Sequence, residues 1–179
     1  YIARYTTYDS FAGIYYYDEP SAPAFPSFKA PNTAMRNWAP GYANLVNLLP
    51  SYASNGQLGA NGFDEYVRLY CEQTNPAFLS YDHYPQTVNP VTMRSDYFTC
   101  MQTIRKYSHT YKIPFWTFNL TTQHGGYRNT TQADLNWCVN TSLAFGAKGI
   151  EYFTYQIPPQ WGEGTSYPIP TDKTGFVDK

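Results

Sequence analysis

The chain is 179 residues long with 42% apolar side chains, enough for one domain with a sizeable buried core. Twelve basic against thirteen acidic residues leave a formal charge of -1, which offers no electrostatic footprint for DNA, RNA or anionic lipid. No apolar run approaches the ~18 residues of a membrane span, so neither nucleic acid nor a membrane is an expected partner.

Gly13 to Tyr17 reads as a buried strand, an aromatic run bounded by breakers. Pro20 cannot continue its ladder, which leaves Asp18 and Glu19 at the strand's carboxyl end. In α/β folds that end faces the ligand site. Pro23, Pro26 and Pro31 predict a loose crossover that becomes helical only from Thr33 to Trp38. Ala43 to Leu49 is a second strand stopped by Pro50, and Ser51 to Gly62 is a loop of Ser, Asn and Gly. Phe63, Tyr66, Val67 and Tyr70 then share one face of a helix running to Thr74, with Cys71 beside the stripe.

Asn75 and Pro76 end that helix, and Ala77 to Tyr81 is a third strand closing on Asp82, His83, Tyr84 and Pro85. Tyr97, Cys100, Met101, Ile104 and Tyr111 mark another amphipathic helix between Ser95 and Tyr111. A fourth strand, Ile113 to Phe118, leads into a polar loop, Asn119 to Arg128, that contains Gln123 and His124. Thr131 with Asp134 three positions on resembles a capping box. It opens a helix through Leu135, Cys138, Val139 and Leu143 that Gly146 ends. Lys148 to Tyr155 is the fifth strand, and 156–179 reads as an irregular loop carrying Trp161 and Glu163.

Strand starts recur every ~30 to 36 residues with a helix-compatible stretch in each gap, which is a run of βα units. No G-x-G-x-x-G or GKS/GKT follows any strand, so a nucleotide-binding sheet is disfavoured against a closed parallel barrel. The aromatic content, 19% with 19 Tyr and 4 Trp, exceeds what a core of this size needs and suits sugar rings, which show C–H faces and a hydroxyl rim. Cys71, Cys100 and Cys138 are far apart, lack CxxC spacing and fall in helical patterns, so buried thiols are expected rather than a zinc site or disulfides. Sequons at Asn119, Asn129 and Asn140 lean weakly toward secretion, hence an extracellular or periplasmic setting.

The segments Tyr17-Asp18-Glu19-Pro20, Asn47-Leu48-Leu49-Pro50, Ser80 through Pro85, Pro114-Phe115-Trp116 and Ala144 through Tyr155 resemble the successive strand ends of (β/α)8 TIM-barrel glycoside hydrolases of the broadly β-galactosidase-like kind. The resemblance covers most of the chain and implies an α/β fold in which 1–179 is a single partial domain, about strands 4 to 8 of the barrel. It further implies a partner, the missing barrel half from the same or a second chain, because a half-barrel alone leaves strand edges open.

By the same resemblance Glu19, in an Asp-Glu pair at the end of the fourth barrel strand, is the proton donor. Glycoside hydrolysis needs a second carboxyl group, about 5 Å away for retention and about 6.5 to 9.5 Å for inversion. The position where the family places its nucleophile reads Phe118-Asn119-Leu120-Thr121-Thr122-Gln123-His124, without a carboxylate. Asp82 is therefore the first candidate and Glu151 the second. Asp18, Tyr17, His83, Tyr84, Gln123, His124 and Trp161 are expected to bind or stack on the sugar. A metal site of Asp82, His83 and His124 is disfavoured because no His-x-His pair follows an early strand, and no cofactor is expected. The expected activity is hydrolysis of O-glycosidic bonds in a β-linked or otherwise neutral oligosaccharide. A carbohydrate-binding barrel without catalysis, and a structural surface protein on the same scaffold, are the alternatives.

Overall fold

The computed structural model describes residues 4–39, 41–88 and 91–154. Trp161, and the expectation of an irregular tail over 156–179, lie outside the described residues. The elements run β1 (Gly13–Asp18), a 3-10 stretch (Ala22–Phe28), α1 (Lys29–Trp38), β2 (Ala43–Leu48), α2 (Asn55–Leu58) and α3 (Phe63–Thr74). They continue with β3 (Leu79–Asp82), β4 (Gln86–Val88), β5 (Val91–Met93), α4 (Tyr97–Tyr111), β6 (Phe115–Leu120), α5 (Gln132–Phe145) and β7 (Gly149–Phe153).

Five strands form one sheet in the order β1-β2-β3-β6-β7, and every pairing in it is parallel. Each parallel step needs a crossover, and helical segments supply all four. The result is a five-stranded half-barrel sheet with an outer helical layer, in agreement with the βα reading. β4 and β5 pair only with each other, as an antiparallel hairpin bridged to the loop after β6 through Thr87 and Tyr127.

Alternation along the strands divides the sheet into two faces. Val46, Leu48, Leu79, Tyr81 and Phe115 face the helices and join Phe25, Phe28, Tyr66, Val67, Tyr70, Met101 and Ile104 in one continuous core. The predicted stripe of α3 is buried as expected; Tyr66 and Val67 are wholly enclosed, and burial of each such side chain contributes about 1.5–3 kcal/mol. The three cysteines are free and buried. The opposite, concave face carries Leu45, Phe78 and Trp116 around an open apolar hollow of about 460 Å³. Gly149 fits here because the Trp116 indole occupies the space that a Cβ would need.

Three local expectations change. The proline-cut crossover is helical almost throughout: Pro23 sits at the start of the 3-10 stretch, where a missing N–H is no loss, and Pro31 falls in the first turn of α1. The supposed loop after β2 contains the short helix α2, opened by a capping box between Ser54 and Gln57. In α5 the capping box of Thr131 and Asp134 and the left-handed Gly146 terminus are present, yet only Cys138 and Ser142 are buried and Leu143 is half-exposed. That helix packs on β6 and α4 at the flank of the sheet, so one narrow strip of it is covered.

One tyrosine ties the helical layer to the strand ends. The Tyr66 hydroxyl on α3 donates to the Pro20 carbonyl at 2.6 Å and accepts from the Leu49 N–H at 3.3 Å, so it holds the loops after β1 and β2 together.

Candidate active site at the strand ends

The carboxyl ends of the strands carry a connected row of polar side chains on the concave face. Asp18, the last residue of β1, accepts from the Tyr15 hydroxyl at 2.7 Å and from Asn47 Nδ2 of β2 at 3.1 Å. Ser80 of β3 lies 3.5 Å from Asn47 Oδ1, and its hydroxyl donates to Glu151 Oε2 of β7 at 2.8 Å, reaching across β6. Asn47 and Ser80 are buried and in register. A bulge between Tyr15 and Tyr17 lets Tyr15 and Asp18 meet although they are three residues apart, because the extra residue restores both to one side.

Asp82 ends β3 and is the electrostatic centre of the row. It is 9% exposed, and its Oδ1 has no hydrogen-bond partner among the described residues. Burial, reinforced by Glu19 and then Asp18 and opposed by a hydrogen bond from the Asn47 side chain, pushes its carboxyl up to about 8. Burial first, and then the field of Asp82 among other groups, raises the titration of Tyr15, Tyr52, Tyr66, Tyr84 and Tyr127. Burial likewise pushes Glu151 up to about 7, with the Ser80 hydrogen bond opposing it. Glu19 is raised by burial and then by Asp18. Its backbone is left-handed at φ 46°, and its N–H donates to the Asn47 carbonyl at 2.8 Å, which fixes the turn that presents the side chain.

The structure therefore brings four sequence-predicted acids into one row: Asp18, Glu19 and Asp82 are electrostatically coupled, and Glu151 joins them through the Ser80–Asn47 hydrogen bonds. Around it, Tyr84 is buried with its ring 5.4 Å from Tyr127, 5.9 Å from His124 and 6.0 Å from Phe153. The His124 Nδ1 lies 3.0 Å from the Thr122 carbonyl, and burial lowers its basicity, so the ring is a neutral wall. Gln123 is half-buried in the same loop.

Two expected sugar contacts point elsewhere. Tyr17 packs its ring on Phe28 of the helical layer at 5.3 Å; the tyrosine of this strand that reaches the acids is Tyr15, which sequence reading missed because the bulge breaks the alternation. His83 is enclosed on the helix side, Nε2 3.3 Å from Asp96 Oδ1 and its ring beside Tyr52 and Tyr97. Successive strand residues face opposite ways, so Asp82 at the mouth dictates His83 behind it. The Asp96 carboxylate, held by His83 and Arg94, stays well below the usual range.

With this geometry in hand the chain can be compared with known proteins. No family model matches it. No curated protein matches it either. Among solved structures, a crystal structure of a putative alpha-L-fucosidase from Bacteroides thetaiotaomicron matches with a TM-score of 0.61 at 12% identity, over 87% of this chain and 51% of that one. The two folds are similar over the shared region. At this identity the likeness is one of backbone, and the chain spans about half the length of that structure.

Chemically, the row combines three features. It holds carboxyl groups whose protons leave near neutrality, lacks a carboxylate near the end of β6, where Asn119 stands, and just after it, where Thr121 and Thr122 stand, and is backed by aromatic rings suited to a sugar face.

Proposed function

We propose that this chain forms the catalytic side of a glycoside hydrolase that cleaves O-glycosidic bonds of an oligo- or polysaccharide by a two-carboxyl mechanism. The observation that carries the reading is the coupling of Glu19, just after β1, with Asp82, at the end of β3 and separated from it by β2, with Asp82 held up to about 8. Acid catalysis at neutral pH needs a carboxyl group that still has its proton, and the partner must be more readily ionised. This favours Asp82 as the proton holder and Glu19 as the partner carboxylate, the reverse of the roles suggested by family resemblance. Asp18 and Tyr15 position the pair from β1, and Glu151 is the alternative second acid from β7.

The reading includes a complement to the half-barrel. β1 and β7 are the outer strands of the sheet, Tyr15 and Tyr16 of β1 are exposed, and the concave hollow is apolar, which together fit further parallel strands closing over it. A second reading, binding without catalysis, is favoured by the absence of a carboxylate after β6.

The test is hydrolysis of a panel of aryl glycosides by the wild type, Glu19→Gln and Asp82→Asn. Loss of either group should lower kcat/KM by about 10²- to 10⁴-fold. Loss of the proton holder should hurt poor leaving groups far more than good ones. Equal rates for all three proteins would leave only the binding reading.

A further inference from the structure

Among the described residues, no ion pair involves the acids in the mouth. Every ion pair among the described residues involves other carboxylates: Glu65 and Glu72 with Arg68, Asp64 with Lys106, Asp96 with His83 and Arg94, and Asp134 with Arg128. Arg94 is the cation whose field reaches Tyr52 and Tyr127 together with that of Asp82, but it is committed elsewhere. It lies 3.2 Å from Asp96 and 3.9 Å above the Tyr52 ring. His124 is neutral, as described above. Asp18, Glu19 and Asp82 thus crowd one another with amide and hydroxyl donors as their neighbours, and Glu151 has the Ser80 hydroxyl.

A buried carboxyl oxygen without a donor is costly, and the cost is removed when a ligand supplies the donor. Asp82 Oδ1 is such an atom, on a side chain nine-tenths buried. A metal ion fits poorly, since no three His, Cys, Asp or Glu side chains among the described residues are grouped to hold one. A neutral sugar would supply hydroxyl donors yet no positive charge to offset the burial and the neighbouring acids that keep the proton on Asp82. An organic ammonium supplies both donors and charge.

We propose that the sugar recognised by this mouth carries a free, protonated amine, as in a non-acetylated hexosamine, with the ammonium donating to Asp82 Oδ1 beside Asp18 and Glu19. The proposal rests on the carbohydrate reading and narrows it from a neutral glycan to a basic one. An ammonium has three N–H donors and one positive charge, so it satisfies the bare oxygen while relieving the repulsion among the acids. Acetylation removes the charge and two of those donors, which makes the N-acetyl sugar a sharp control.

The experiment is a protein-observed NMR titration with glucosamine and galactosamine, each compared with its neutral parent hexose and its N-acetyl derivative. At least one amine should bind about tenfold or more tightly than both counterparts, the worth of one charge-assisted hydrogen bond. The preference should collapse in Asp82→Asn and weaken in Glu19→Gln. Equal binding of each amine and its parent hexose overturns the proposal, as does failure of both amines to bind or a preference unaltered in both variants. The wild-type comparison stands even if a variant does not fold. Aryl glycosides of the same sugars separate the two claims. Cleavage without preference for the amine removes this inference and keeps the hydrolase, whereas selective amine binding without cleavage does the opposite.

Discussion

Asp82→Asn offers a direct measurement of how hard the fold works to bury an acid. The carboxyl is pushed from 3.8 to about 8, mainly by burial. Below pH 3.8 both folded and unfolded chains hold the proton, and the native preference for it is fully expressed. Between there and pH 8 the unfolded chain has released a proton that the folded chain keeps, so stability falls as pH rises. The interval spans about four pH units at ~1.36 kcal/mol each, a linkage on the order of 5 kcal/mol. That is comparable to the whole stability of many domains, about 5–15 kcal/mol. The amide of Asn keeps the shape and does not titrate. Urea unfolding at pH 4.5 and 8.5 should show the wild type losing several kcal/mol between the two, and Asp82→Asn losing markedly less. It should leave the variant the more stable protein at the higher pH. Parallel pH dependences for the two proteins would refute the assignment of Asp82 as a buried, proton-holding group.

Removing the Ser80 hydroxyl takes away the hydrogen bond that opposes the rise of Glu151, so Ser80→Ala should move that carboxyl from about 7 by roughly one unit or more further up, read by carbon-detected NMR titration. Glu19 holds a left-handed backbone that costs a non-glycine residue about 1 kcal/mol, so Glu19→Gly should be more stable than Glu19→Gln by about that amount in urea unfolding. Thr131→Ala breaks the capping box of α5 and should cost about 1 kcal/mol in the same assay. The thiols of Cys71 and Cys100, both buried and pushed up to about 12, should stay unreactive toward a thiol reagent until the protein unfolds.

The scaffold was legible wherever one periodicity dominated. Phe63, Tyr66, Val67 and Tyr70 recur at helical spacing, and nothing else competes for them; the strands are short apolar runs stopped by proline or acid. Motifs that short-range chemistry encodes were present but passed over, as with Ser54 and Gln57 opening α2, or the Thr-Val and Val-Thr flanks of β4 and β5. Asp18, Glu19 and Asp82 were found because they stand at strand ends, and Glu151 because it is the one carboxylate inside the last strand. Their neighbours were not, since a bulge in β1 exchanges Tyr17 for Tyr15, and only the fold reveals that Asp96 waits behind His83. Leu143 misled because its burial depends on what flanks the sheet, which no local pattern records.

Tyr66 bears on how this site can be altered. Its hydroxyl clasps the Pro20 carbonyl and the Leu49 amide, so the turn that presents Glu19 is anchored from α3, more than forty positions further along the chain. Transplanting the acid-bearing turn onto another scaffold would therefore require carrying its phenolic anchor with it. Libraries that vary the rim while leaving that anchor in place should retain the pose of the acid far more often than libraries that vary both.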